Sequence, residues 1–490
     1  MRQYDVLVIG AGVSGIGAAI RLRQAGVTDF AVLEKAAELG GTWRDNTYPG
    51  CACDVPSALY SYSFAPNPEW TRAFAGQAEI RSYLHGVAAR FGVVPHLRLG
   101  VEVLRAQWDA GAQRWRLDTS DGAYEARIVV AGTGPWHEPL LPDIPGSPEF
   151  GGAMFHSSRW NHDVDLRGRR VAVVGTGASA VQFVPAIQPL VSELHLFQRT
   201  AQWVLPKPDH YVPRAERWLM RRVPAAQRAL RSAEYAGMEA LGLGFRHPRL
   251  MRQVERVGRL HLRRTVRDPQ LRAALTPDYT LGCKRLLMSN DYYPALTRPN
   301  VTVHPALREI RGSTAVGADG TEAEVDAIIL GTGFRILDLP VAHNVYDEAG
   351  RSLDEHWQGS PQGYLGTTVA GFPNLFLLLG PSLGTGHTSA FMILEAQLEH
   401  SIGAIQAILR KGWSSIAVRR EVQDAFNADV QRALAGTVYE TGGCASYYHD
   451  VNGRNSFSWP WSSARLRRQV GEFDPSVYDV TPAVAEVSAR

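Results

Sequence analysis

Within its first thirty-four residues the chain runs from an apolar strand, through three spaced glycines, to an acid, and few folds accommodate that order. Tyr4 to Ile9 centre on Val6-Leu7-Val8-Ile9, which predicts a buried parallel strand. Gly10-Ala11-Gly12-Val13-Ser14-Gly15 follows at once and opens a helix rich in small residues, Gly17, Ala18 and Ala19. A second apolar strand, Phe30 to Leu33, ends on Glu34. Strand, G-x-G-x-x-G, helix, strand, acid is the fingerprint of a dinucleotide site. Gly10 allows the tight turn, Gly12 lets a pyrophosphate approach the backbone, and Gly15 lets helix and strand pack closely. The helix N-terminus offers free N–H groups to the anion, and Glu34 can accept hydrogen bonds from a ribose.

The pattern then repeats. Arg170 to Val174 reads as a strand, and Gly175-Thr176-Gly177-Ala178-Ser179-Ala180 as a second phosphate loop, with Ala180 in the third glycine place. Leu194 to Phe197 is the next strand and leads to Gln198-Arg199-Thr200. Glu34 lies 24 residues after Gly10, and Arg199 lies 24 after Gly175. One unit therefore places a carboxylate where the ribose sits, and the other a guanidinium. A carboxylate repels a 2′-phosphate, whereas arginine grips one through two bonds. The first site suits FAD or NAD and the second NADPH. A further duplication supports this: Val325 to Leu330 with Gly331-Thr332-Gly333 copies Arg127 to Ala131 with Gly132-Thr133-Gly134.

The expected fold class is α/β, with two dinucleotide-binding (Rossmann-like) domains and a helical insertion. The expected division is residues 1–137 and 335–490 for a discontinuous first domain and 138–334 for the second. The proline-rich stretch Pro135 to Pro148 is the crossing between them. A chain of 490 residues is too long for one ordinary domain. Its net charge of +3 argues against a nucleic-acid partner. No apolar run spans a bilayer and no signal peptide is legible, so a cytoplasmic protein without a membrane partner is expected. The four cysteines form no C-x-x-C pair, so reduced thiols, no disulfide framework and no metal site are expected.

Between the motifs lie candidate site segments. Gly40-Gly41-Thr42-Trp43 is placed to lie under a cofactor. Tyr48-Pro49-Gly50-Cys51-Ala52-Cys53-Asp54-Val55-Pro56 is a loop in which Asp54, taken alone, reads as a turn-capping carboxylate. Residues 77–91 pattern as an amphipathic helix. Residues 210–280 are helical by pattern and crowded with arginine, read as a solvated insertion. The glycine-rich loop Pro381 to Ser389, with Leu383 and His387, and the aromatic stretch beginning at Tyr60 are the expected substrate contacts.

Taken together, the two nucleotide loops and the stretch between them resemble the Baeyer–Villiger monooxygenases, class B flavoprotein monooxygenases. Phe150, Gly152, His156 and Trp160 fit that family's F-x-G-x-x-x-H-x-x-x-W; Asn161 departs from the Pro or Asp that follows it. The resemblance implies FAD on Gly10, Gly12, Gly15, Glu34, Gly41, Thr42, Trp43 and Asp54. It implies NADPH on Gly175, Gly177, Ser179, Arg199, Thr200 and Lys284, and Arg285 as the catalytic arginine with Asp54 as its partner. It further implies that a C4a-peroxyflavin formed from O2 attacks a ketone to give an ester or lactone. For the signature histidine, His156, coupling of the two domains is expected rather than contact with the chemistry. A guanidinium stays protonated in a site that excludes water and offers several donors to an oxyanion. An N- or S-oxygenating flavoenzyme is the alternative, separated from this reading by Trp160. A disulfide reductase lacks its cysteine pair here. A non-catalytic flavin-binding sensor is the remaining reading. The oligomeric state is not legible.

Overall fold

The computed structural model describes residues 1–482. Its first half is built on β1 (Arg2–Ile9), α1 (Val13–Gln24), β2 (Phe30–Glu34), the short helix α2 (Thr42–Asp45), α3 (Gln77–Arg90), β3 (Leu97–Leu99), β4 (Val103–Asp109), β5 (Arg114–Thr119) and β6 (Gly122–Ala131). One eight-stranded sheet takes these strands in the order β4-β5-β6-β1-β2-β3. The late strand Val345–Tyr346 extends it beside β4, and Leu375–Leu377 pairs with β6. The chain thus returns to its first sheet after an excursion of about two hundred residues. Val6, Leu7 and Val8 have no exposed surface, because helices and loops cover both faces. That is why the strand reads as an unbroken apolar run rather than an alternation.

The excursion repeats the construction. It adds β7 (Ala153–His156), β8 (Arg170–Val174), α4 (Ala178–Ile187) and β9 (Glu193–Phe197). With strands Val301–His304 and Ala327–Leu330 they form a wholly parallel five-stranded sheet, ordered 301–304, β9, β8, 327–330, β7. In both units backbone crowding dictates the glycines. A side chain at Gly15 would bring its Cβ within 1.7 Å of the Gly10 carbonyl oxygen, and Gly175, at φ +106°, would meet the Gly331 oxygen at 2.4 Å. Ala180 is tolerated in the third glycine place because Gly331 opposes it.

The insertion consists of α5 (Arg214–Arg222), α6 (Pro224–Arg246) and α7 (Pro248–Thr265). The reading of it as merely solvated is corrected. Tyr235 and Met238 of α6 pack on the core of the first unit, and Leu262 and Val266, at and just past the end of α7, belong to the core of the second. Arg231 donates to the carbonyl oxygens of Ala58 (2.6 Å) and Ser61 (3.0 Å). Burial raises the Glu234 carboxyl to about 7, against the lowering effect of Leu59 and Arg231. A carboxyl raised in the folded state from an ordinary 4.5 makes stability fall as pH climbs from about 4.5 to 7. Glu234→Gln is therefore expected to raise the melting temperature at pH 8 and leave it nearly unchanged at pH 4, read by thermal unfolding at the two pH values.

The cysteine expectation is also corrected. Cys283 and Cys444 form a disulfide, with Cα atoms 6.1 Å apart and 161 residues between them, while Cys51 and Cys53 are free. No spacing rule reaches across that separation; the fold brings the two together. Burial pushes the Cys51 and Cys53 thiols up to about 12, so both stay protonated near neutral pH.

Candidate active site

A cavity of about 900 Å³ runs between the two units. The first unit lines it with Gly10, Gly12, Glu34, Gly41, Thr42, Trp43, Asp54 and Tyr60. The second contributes Gly175, Gly177, Ser179, Arg199 and Thr200, and Lys284, Arg285 and Leu383 complete the wall. Gly15 packs inside its own turn instead. The two phosphate loops open onto one space because each sits at the carboxyl end of its sheet, and the sheets meet across it. A Cβ at Gly177 would meet no protein atom within 4 Å, and one at Gly12 only the facing Gly41. The backbone is thus bare toward the cavity at both turns, and two helix N-termini point into it.

At the first ribose position Glu34 is 5% exposed. It accepts from the backbone N–H of Ala11 (2.7 Å) and Ala36 (3.0 Å), and from Arg44 (3.0 Å). Arg44, which sequence reasoning missed, is itself paired with Asp45. The second unit differs. Arg199 lies just past β9, and Lys284 sits near enough that the two cations repel. Burial first, and then Arg199, lower the Lys284 pKa. Two cations share that corner, a place made for an anion.

Arg285 and Asp54 meet in the middle, 3.7 Å apart, Arg285 39% exposed to the cavity and Asp54 13%. Burial by itself would depress the Arg285 pKa, but Asp54, with Tyr447, Tyr448 and Cys53 nearby, outweighs it and holds the guanidinium protonated. Asp54 is held from the second unit. Gln182 on α4 donates to its Oδ1 at 3.1 Å. The same amide donates to the Ala52 carbonyl (3.0 Å) and accepts from Tyr48 Oη (3.0 Å) and the Ala52 N–H (3.2 Å). The turn-capping reading of Asp54 is replaced: its partners lie across the interface. Gln182 carried no motif, only a place seven residues after Gly175, so the sequence did not signal it.

Trp136 forms an aromatic wall beside Arg285, whose Cζ lies 6.0 Å from its ring centroid. Tyr447, Phe457 and Phe334 meet Trp136 at centroid distances of 6.2, 6.1 and 6.3 Å. The disulfide stands directly behind. Cys283 precedes Lys284-Arg285, and Cys444 precedes Ala445 and Tyr447, so the bond ties together two segments that line the cavity. Tyr60 accepts from Trp43 Nε1 at 3.0 Å and turns its ring edge-on to Phe391.

Besides Gly15, five sequence candidates stand off the cavity. His387 is corrected: its Nε2 lies 3.3 Å from Glu239 and 3.1 Å from Ser463, under the Gly242 backbone, so it secures the 381–389 loop from behind and does not face a ligand. His156 ends β7, packs edge-on to Phe334, and keeps Nδ1 on Ser158 Oγ at 2.8 Å. Burial lowers its pKa to about 4, so the ring is neutral. Phe150 folds over Gly152, whose Cβ would strike the Asp326 oxygen at 2.4 Å, and Trp160 packs on Phe155 and Phe183.

Two phosphate loops facing one cavity, with an arginine paired to a carboxylate between them, define a two-dinucleotide flavoprotein oxidoreductase. A family profile described as pyridine nucleotide-disulphide oxidoreductase matches residues 7–228. A Streptomyces coelicolor protein named Baeyer-Villiger monooxygenase is 49% identical over 489 residues, covering 99% of this chain and 94% of the relative. A Pseudomonas aeruginosa protein of the same name is 46% identical, covering 98% and 92%. A solved steroid monooxygenase bound to NADP superposes with a TM-score of 0.87 at 28% identity, covering 99% of this chain and all of that one. The chain belongs to the Baeyer–Villiger monooxygenases. It is an FAD- and NADPH-dependent flavoprotein monooxygenase. No helix among the described residues is long and apolar enough to cross a membrane.

Proposed function

We propose that this enzyme inserts oxygen beside the carbonyl of a small-molecule ketone, with Arg285 as its catalytic residue and Asp54 as the group that orients it. The observation that carries this is the Arg285–Asp54 pair in the cavity between the two phosphate loops. FAD fits Gly10, Gly12, Glu34, Gly41, Thr42, Trp43 and Asp54, with Gly15 shaping the turn behind them, because the Gly12–Gly41 approach leaves a cradle that any side chain would fill. NADPH fits Gly175, Gly177, Ser179, Arg199, Thr200 and Lys284, because Gly177 is bare and the two cations await a phosphate. The proposed domains are residues 1–137 with 335–490 around FAD, of which 483–490 lie outside the described residues, and 138–334 around NADPH, and the proposed location is the cytoplasm.

When bound, the flavin supplies O2 activation with electrons from NADPH. The chain does the rest. Arg285 stays protonated and aims its donors at negative charge developing on oxygen. Asp54 limits the cost of burying that cation. Trp136, Phe334, Tyr447 and Phe457 keep water from the charge, and Tyr60 and Leu383 shape the substrate's side of the cavity. The test is a panel of ketones and sulfides, read by NADPH loss and product mass. Esters or lactones one oxygen heavier than the ketones support the reading; sulfoxides alone, or NADPH loss that no substrate stimulates, overturn it.

Gln182 gives a separate prediction. Removing its amide strips Asp54 of its hydrogen-bond donor and unpins the 48–54 loop from α4. Gln182→Ala is expected to lower ester formed per NADPH severalfold, with matching hydrogen peroxide, while the KM for NADPH moves little. Unchanged coupling would remove Gln182 from the account.

A further inference from the structure

The mean charge of the chain conceals a strong local one. Residues 214–267 carry 14 arginines, no lysine and four acidic residues, a net +10, whereas the whole chain is +3, so the remainder is −7. Within this segment α7 is divided into three sectors. Met251, Gly258 and Leu262 face inward and seat the helix, Met251 with no exposed surface and Gly258 against Trp203. Leu250, Val257 and Leu260 face out, exposed by 50, 49 and 47%. At about 100° per residue these three fall within about 80° of one another, a sector that the exposed Gln253 and Arg264 share. Arg249, Arg252, Arg256, Arg259 and Arg263 occupy the adjoining sector. Among the described residues only Arg259 of these five has a carboxylate within ion-pair distance, Glu255 at 3.9 Å.

We propose that this face of α7 is a docking surface for an anionic lipid bilayer. An exposed leucine–valine stripe bordered by arginines on a rigidly seated helix is the arrangement of an interfacial helix. The apolar sector enters the headgroup boundary while the guanidinium groups take lipid phosphates. Charge decides against the other occupants. A second copy meeting this face about a two-fold axis sets arginine against arginine. A nucleic acid would use the arginines and leave the three aliphatic side chains in water. The surface lies one helix away from the cavity wall, since α7 packs on α6 and Gly242 of α6 backs His387 in the 381–389 loop. Docking would hold the enzyme where apolar ketones concentrate. The inference does not depend on the roles given to Arg285 and Asp54.

The experiment is flotation of the full-length FAD-loaded enzyme with vesicles of phosphatidylcholine alone or with 30 mol% phosphatidylglycerol (a fraction of roughly one third, chosen to give a strongly anionic surface). Binding to the anionic vesicles that weakens with salt, and little to the neutral ones, is expected. The triple variant L250S/V257S/L260S should lose at least tenfold in vesicle affinity, and R249Q/R256Q/R263Q should lose the salt dependence as well. Both should keep flavin content and soluble turnover, since none of these residues lines the cavity. Failure of the parent to float at low salt overturns the proposal. So does binding that the serine variant retains in full, which would mean charge alone. A parent dimer in sedimentation equilibrium that the serine variant dissociates also overturns it, because the face would then belong to a second copy.

Discussion

Arg285→Ala is expected to fold, to bind FAD and to consume NADPH, yet to make ester a hundred to a thousand times more slowly. The size follows from what the side chain supplies. Losing one preorganised donor to an oxyanion costs about 2.7–4 kcal/mol. In the role proposed for it Arg285 is such a donor, kept protonated beside Asp54 against the pull of burial. Its partners are that carboxylate and the Trp136 ring, and it belongs to neither phosphate loop, so cofactor binding should survive. Electrons that no longer reach the ketone leave as hydrogen peroxide. The measurement is ester and peroxide formed per NADPH consumed, with flavin content as the folding control. Asp54→Ala should move the same ratio less, because it acts through Arg285. An Arg285→Ala enzyme that keeps the parent's rate and coupling would end the proposed role.

What could be read from the chain beforehand follows the range of the interactions involved. Each βαβ unit is local: its strand, turn and helix are consecutive, and Gly15 is needed by a contact with Gly10 in the same turn, although Gly10 and Gly175 are crowded by Gly132 and Gly331 much further along the chain. Both units were therefore legible, down to the 24-residue offset between turn and ribose position. Gln182, the Cys283–Cys444 bond and the inward turn of His387 were not. Each joins segments more than one hundred residues apart, and nothing in either segment names the other. Asp54 shows the boundary well. Its own loop suggested a cap, whereas its partners come from α4 and from residue 285. The arginine-rich insertion failed differently. The net charge of +3 is an average over the chain, and it conceals the +10 carried by residues 214–267. The sorting of α7 into buried, aliphatic and arginine sectors needs the helix seated before it can be seen.

Arg199→Ala is expected to raise the KM for NADPH tenfold or more and to leave that for NADH nearly unchanged. Burial and Arg199 depress the Lys284 pKa and Asp278 only partly offsets them, so a repulsion between the two cations remains. A 2′-phosphate is the part of NADPH that NADH lacks, and it carries the charge that relieves this repulsion. A hydrogen bond to a charged group contributes about 1.5–3 kcal/mol, which is roughly tenfold to a hundredfold in affinity. Lys284→Ala should shift preference in the same direction, and the double variant should fall short of the product of the two, since each cation alone is freed from the other's repulsion. Arg199→Glu goes further. It writes into the second unit the carboxylate that Glu34 provides in the first, so it should reject the phosphate outright and turn the enzyme toward NADH. Steady-state kinetics with both cofactors over the parent and the four variants decides the matter. Parallel losses for NADPH and NADH would mean that Arg199 supports the fold of the second unit and does not read the phosphate.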